Sequence, residues 1–236
     1  NPVNITSCGR LISPNTHYQV MNDITGIECL YFDEAANNIT LDLNGFTVTG
    51  EYTWPITTTC FFSEIRNGTL NYNGSRSIGV LDIQLGDSCL FEDLTIETPF
   101  YGITSYMSDR MKFHNVNIIA SIGVYMEGSA DMSFKNSTFI GSRTGIGETV
   151  FAHEGTLFDR IVLEEVNFTN YTQHVRMNGN FQMEYIIRNS NLNFSNVSLN
   201  YGSARFITQH LVVINLTNQT GNPISGAIEI IQDGFN

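Results

Sequence analysis

An apolar residue, followed two places on by Asn or a near relative and five places on by a second apolar residue, recurs along the chain. The copies begin at Leu43, Ile65, Phe91, Phe113, Phe134, Leu163 and Ile187, at spacings of 22, 26, 22, 21, 29 and 24 residues. Their partners five places on are Val48, Leu70, Ile96, Ile118, Phe139, Phe168 and Leu192. A period this short, with apolar positions alternating with polar ones instead of recurring three and four apart, predicts stacked coils of short strands and excludes stacked helix pairs. The fold class expected is therefore all-β, a solenoid of about seven coils.

Both faces of the strand keep the period. The fourth place reads Thr47, Thr69, Thr95, Asn117, Thr138, Asn167 and Asn191, polar residues between inward neighbours, as an outer face requires. The second place reads Gly45, Asn67, Asp93, Asn115, Asn136, Glu165 and Asn189. Asn and Gly accept left-handed backbone and stacked Asn side chains bond to one another, so a corner ladder is expected there rather than catalysis. Four coils carry a further Gly followed by a β-branched residue, at Gly79-Val80, Gly102-Ile103, Gly123-Val124 and Gly145-Ile146, predicting a bend into another buried strand. The longest interval contains the run from Glu148 to Gly155, the expected site of a protruding loop.

Residues 1–36 lack the repeat and read as an N-terminal cap, since an open solenoid end exposes unpaired backbone. Residues 37–210 form the expected β-helix. From Leu211 the pattern changes, and residues 211–236 hold about two strands, expected to cover the last coil, to begin a further domain or to be donated to a neighbouring subunit.

The phrase Leu41-Asp42-Leu43-Asn44-Gly45, the following Val48-Thr49-Gly50, the Cys8-Gly9 start and the Phe-x-Asn coils resemble the right-handed, single-stranded parallel β-helix superfamily. In detail they are similar to the NosD-like and pectate-lyase-like repeats of archaeal and bacterial surface proteins. The segment from Leu211 to Ala227 resembles the opening of an Ig-like or carboxypeptidase-regulatory-like sandwich. The superfamily hosts lyases, hydrolases, adhesins and inert surface proteins, so the resemblance implies the fold far more than a function.

Composition narrows the setting. Cys8, Cys29, Cys60 and Cys89 have no zinc or redox spacing, and local order favours Cys8–Cys29 and Cys60–Cys89 among three possible connectivities. The chain begins Asn1-Pro2-Val3-Asn4, with neither Met nor a basic and apolar leader, which fits a mature secreted protein. Asn-x-Ser/Thr triplets are expected to carry N-glycans at Asn4, Asn38, Asn73, Asn167, Asn170, Asn193, Asn196, Asn215 and Asn218. Two more, at Asn67 and Asn136, fall on the second place of the repeat, where a glycan is expected to disrupt the coil. A net charge of −12 argues against nucleic acid and anionic lipid as partners, and against a polyanionic glycan unless calcium or an arginine row intervenes. No apolar run is long enough to insert in a membrane.

Candidates for chemistry are sparse. In the lyases of the superfamily, the resemblance implies calcium-binding acids and an arginine base, for which Asp82, Asp87, Asp109, Arg76 and Arg110 are the nearest match, in no calcium-loop spacing. A hydrolytic pair would draw on Glu164, Glu165, Asp131 or Glu127, although Glu164 and Glu165 point to opposite faces of a strand. The five histidines, His17, His114, His153, His174 and His210, are scattered, and the methionines read as packing. No catalytic residue, metal ligand or cofactor is assigned. The expectation is a secreted, glycosylated cell-surface protein that self-associates into a filament, sheath or layer. The alternatives are a polysaccharide-active enzyme and a glycan-binding adhesin, the latter presenting Tyr101, Tyr106 and Tyr125.

Overall fold

The computed structural model describes residues 1–33, 37–72, 74, 79–142, 147–155, 158–179, 182–192, 195, 197–199, 203–217 and 223–232. The first coils contain β1 (Val3–Ile5), β2 (Gly9–Leu11), β3 (His17–Val20), β4 (Ile24–Gly26) and β5 (Leu30–Phe32). They are followed by β6 (Thr40–Asp42), β7 (Thr47–Gly50), β8 (Ile56–Thr58), β9 (Glu64–Tyr72), β10 (Gly79–Gln84), β11 (Leu90–Glu97) and β12 (Tyr101–Tyr106). Next come β13 (Asp109–His114), β14 (Asn117–Ala120), β15 (Ile122–Glu127), β16 (Ala130–Lys135), β17 (Thr138–Gly141) and β18 (Gly147–Gly155). The last are β19 (Phe158–Glu164), β20 (Asn167–Thr169), β21 (Tyr171–Gly179), β22 (Gln182–Arg188), β23 (Val197–Leu199), β24 (Ser203–Thr217) and β25 (Pro223–Gln232).

All strands but the final pair run parallel, and their stacking makes a β-solenoid of about eight turns. Three faces result. The first stacks β1, β3, β6, β9, β11, β13, β16, β19, β22 and β24; the second stacks β4, β7, the distal halves of β9 and β11, β14, β17 and β20. The third is a separate sheet running β2-β5-β8-β10-β12-β15-β18-β21-β23.

From Ile65 on the repeat maps onto this frame residue by residue; in the first copy Leu41, not Leu43, pairs with Ile65, because the chain there takes two more residues to reach Val48, the partner of Leu70. First-place residues pair in register from Ile65 through Phe91, Phe113, Phe134, Leu163 and Ile187, and all are buried. Phe91, Phe113 and Phe134 stack face to face with centroids 4.8 and 4.6 Å apart, because parallel in-register strands place identical side chains one coil apart. The second place is the bend between the first and second faces. Gly45, Asn67, Asp93, Asn115, Asn136, Glu165 and Asn189 all have positive φ, from 48° to 81°. Backbone, more than amide side chains, forms the ladder: the N–H of Asn115 donates to Lys135 O and that of Asn136 to Glu164 O, both at 2.9 Å. A side-chain rung links Asn115 Nδ2 to Asp93 Oδ1 at 2.5 Å. Asn67 and Asn136 are exposed at this bend, and Asn67 Nδ2 donates to Asp42 Oδ1 one coil away at 3.2 Å.

Glycine at the second corner is required by space. A Cβ on Gly102 would lie 2.6 Å from Ile118 Cγ2, and one on Gly123 would lie 2.7 Å from Phe139 Cδ1. The pair Gly145-Ile146 lies outside the described residues.

Three expectations change. Residues 1–33 are coiled like the rest: Val3 pairs with Tyr18 and Tyr18 with Leu41, and the added turns explain a count above seven. Periodicity failed there because the strands are only three or four residues long, too short to show alternation. The run from Glu148 to Gly155 is no loop but most of β18, whose Phe151 is buried between Val124 and Val175. Finally, β24 crosses residue 211 unbroken, pairing parallel with β22 up to Gln209 and antiparallel with β25 from Thr208 to Thr217. The two expected C-terminal strands thus form a hairpin continuous with the first face.

Candidate functional site

On the third face, inward Leu81, Ile103, Val124 and Phe151 alternate with outward positions that form two columns. One column runs Thr57, Asp82, Thr104, Tyr125, Ala152 and Arg176; the other runs Gln84, Tyr106, Glu127 and Glu154. Parallel register therefore brings together residues up to about a hundred positions apart in the chain. Tyr101 opens β12, and Trp54 precedes β8.

These side chains enclose a groove of about 310 Å³ lined by Trp54, Gly79, Tyr101, Thr104, Tyr106, Tyr125 and Glu154. The Tyr125 ring lies 5.6 Å from that of Tyr101 and 6.1 Å from that of Tyr106, tilted to both. All three tyrosines are half-buried, as groove walls rather than as projecting side chains. The Tyr125 hydroxyl donates to Glu154 Oε2 at 2.9 Å. Burial first, and then the Glu154 carboxylate, hold the Tyr125 phenol well above its ordinary pKa. Tyr106 is raised as well, by burial and then by the negative charges of Asp82 and Glu127.

Asp82, at the edge of this arrangement, is wholly buried. Its carboxylate accepts from Thr104 Oγ1 at 2.6 Å and from Gln84 Nε2 at 2.7 Å. Burial raises its pKa and these bonds oppose the rise.

Other candidate residues are dispersed or engaged. Asp87, Asp109 and Arg110 meet at the corner between third and first faces, where Arg110 pairs with Asp87, but Asp82 lies apart on the third face. Arg76 lies outside the described residues. Glu164 pairs with Lys135 at 2.7 Å and Arg188 at 3.7 Å, and Asp131 with Arg160 at 3.0 Å. Glu165 occupies a bend, and Glu127 alone of the hydrolytic candidates joins the third-face columns. Met111, Met126, Met132, Met177 and Met183 are buried as packing residues, whereas Met107 is 70% exposed. Among the described residues, no three His, Cys, Asp or Glu side chains gather as a metal site.

The structure pairs Cys8 with Cys29 and Cys60 with Cys89, each bridge joining neighbouring turns. Of the glycosylation candidates, Asn4, Asn38, Asn167 and Asn170 are exposed, and Asn215 lies in β24. Asn73, Asn193, Asn196 and Asn218 lie outside the described residues. Asn38 Nδ2 donates to Asn15 Oδ1 at 2.8 Å, and Asn167 Oδ1 accepts from Asn191 Nδ2 at 2.7 Å. Among the described residues no helix is long and apolar enough to cross a membrane.

The sequence reading named the three tyrosines, Asp82 and Glu127 under separate hypotheses but missed Trp54 and Glu154. Trp54 is the sole tryptophan, a signal that could have marked it; Glu154 was hidden by the loop assignment.

No protein-family model and no curated protein matches the chain. Two solved structures are similar. The Streptococcus pneumoniae surface protein and adhesin PfbA has 7% identity and a TM-score of 0.30, over 80% of this chain and 66% of that one. ORF18 of Geobacillus virus E2 has 10% identity and a TM-score of 0.33, over 86% of this chain and 53% of that one. The chain thus spans less than two thirds of the length of either.

Proposed function

We propose that this protein is an extracellular surface protein that binds a glycan in the third-face groove. The observation that carries this reading is the convergence of Trp54, Tyr101, Tyr106 and Tyr125 around one open space beside Thr104 and Glu154. Aromatic faces offer flat apolar contact to the C–H surfaces of a sugar, and the adjacent hydroxyl and carboxylate groups supply orienting hydrogen bonds. Two disulfides and the density of glycosylation triplets support an oxidising, secretory route. The solenoid supplies a rigid platform, and the many ion pairs of its first face give it a polar flank.

Because Trp54 is the only tryptophan, its fluorescence reports on this groove alone. Glycan titrations followed by Trp54 emission test the reading, with Tyr125→Ala as the control that abolishes the response. An array of neutral, acidic and amino glycans that leaves the emission unchanged overturns it. Release of shortened products from a bound glycan would turn the reading to an enzyme.

Self-association is a second role favoured by the C-terminal hairpin. Along β24 the pairing with β22 ends at Gln209, while the strand continues to Thr217 beside β25. A strand edge beyond the last coil is a surface to which a second copy can add in the manner of β-augmentation. Electron microscopy and light scattering of the glycosylated protein test it: filaments or concentration-dependent mass are expected, and a monomer at high concentration overturns it. Intact mass before and after deglycosylation reads out the glycans.

A further inference from the structure

The groove is built for more than a stacking sugar. Four aromatic rings wall it, and among the described residues its one formally charged lining residue is the carboxylate of Glu154. Glu154 is exposed, and its Oε2 accepts the hydrogen bond from the Tyr125 hydroxyl. Along the same columns lie Glu127 and buried Asp82. Among the described residues Arg176 is the nearest basic one by register, and it stands two strands beyond Tyr125 and does not line the groove. The phenols of Tyr106 and Tyr125 are raised by burial first, and then by these same negative charges.

An aromatic wall closed by a carboxylate is the arrangement that selects an organic cation: ring faces are negative, and the carboxylate adds direct Coulomb attraction. An acidic sugar meets repulsion in the same space. A neutral sugar donates hydroxyl hydrogen bonds to the Glu154 carboxylate but brings no opposite charge to it. Resting on the glycan reading of this groove, we propose that its ligand is an ammonium-bearing glycan, a polymer of non-acetylated amino sugar whose –NH₃⁺ group seats among the rings against Glu154.

The test uses the full chain and Trp54 emission, with four probes: a glucosamine oligomer, its N-acetylated counterpart, tetramethylammonium, and tert-butanol as the uncharged analogue of tetramethylammonium. Saturable responses to the glucosamine oligomer and to tetramethylammonium are expected, each at least about tenfold tighter than its uncharged counterpart. Glu154→Gln, an exposed substitution of equal size, is expected to weaken both about tenfold, and circular dichroism confirms that the fold is kept. Equal binding of the two oligomers with no response to tetramethylammonium overturns the ammonium inference and leaves the glycan reading standing. A response to tetramethylammonium with none to either oligomer supports the cation cage and overturns the glycan reading. Silence to all four probes overturns the inference, and binding unchanged by both Glu154→Gln and Tyr125→Ala overturns the location.

Discussion

Tyr125 and Glu154 stand one coil apart and are joined hydroxyl to carboxylate at 2.9 Å. The bond exists because β15 and β18 pair with Tyr125 opposite Ala152, leaving Glu154 diagonal to the ring, within reach of a long side chain. Tyr125 is thereby held in its neutral form by burial and by an adjacent negative charge.

Glu154→Gln removes that charge but not the burial. The Tyr125 phenol is therefore expected to ionise at lower pH in the variant, while remaining above an ordinary tyrosine. Tyrosinate absorbance followed through alkaline titration, as a difference between variant and parent, measures it. An upward shift, or none, would contradict the placement of Glu154.

The core makes a stronger demand. Phe113 is sandwiched between Phe91 and Phe134 and is wholly buried. Phe113→Ala removes both stacking contacts and opens a cavity in a rod that cannot collapse without disturbing two neighbouring coils. A loss of about 3–5 kcal/mol is expected in denaturant unfolding, against less than about 1 kcal/mol for His114→Ala on the outer side of the same strand. Similar losses for both would mean that the first-place column does not bear the core.

These residues show which parts of the fold were legible in the sequence. Wherever a strand pair spans a full period, as from Ile65 to Leu70 or Phe113 to Ile118, inward and outward positions can be counted off and the coil follows. Left-handed bends at Asn67, Asn115 and Asn136 are equally plain, since the residue type matches the backbone. The first coils were missed because Val3–Ile5 and Gly9–Leu11 are too short to display a period, and β18 because His153 and Glu154 look polar. The groove was missed as a unit for a different reason: its walls come from five coils, and lateral assembly depends on register that no single coil encodes.

Other bends are occupied against type. Leu85 and Met107 have φ of 53° and 47°, yet are 58% and 70% exposed, and Gly128 fills the same corner one coil on. A left-handed conformation costs an L-residue about 1–2 kcal/mol, part of which glycine loses through its freer unfolded chain. Met107→Gly is therefore expected to stabilise the protein by about 0.5–1 kcal/mol in denaturant unfolding, with no burial lost. Destabilisation would show that the methionine side chain contributes contacts that outweigh the bend.

Acid sensitivity follows from His153. Its ring is buried in β18, Nε2 lies 2.5 Å from the Tyr185 hydroxyl, and burial pushes its pKa down to about 3 from 6.5. The unfolded chain takes up a proton near the ordinary value while the folded chain resists until far lower pH, so the unfolded state binds more protons across that window. Stability is fully present above about pH 6.5 and is lost progressively as pH falls toward about 3, by about 3 kcal/mol at pH 4. His174, also lowered by burial, acts in the same direction. In His153→Gln the amide can still bond to Tyr185 and does not titrate, so the difference between parent and variant unfolding free energies isolates this one group, carboxylate effects cancelling. The difference is expected to change by about 3 kcal/mol between pH 7 and pH 4; curves that stay parallel would mean that His153 accepts a proton within the folded solenoid.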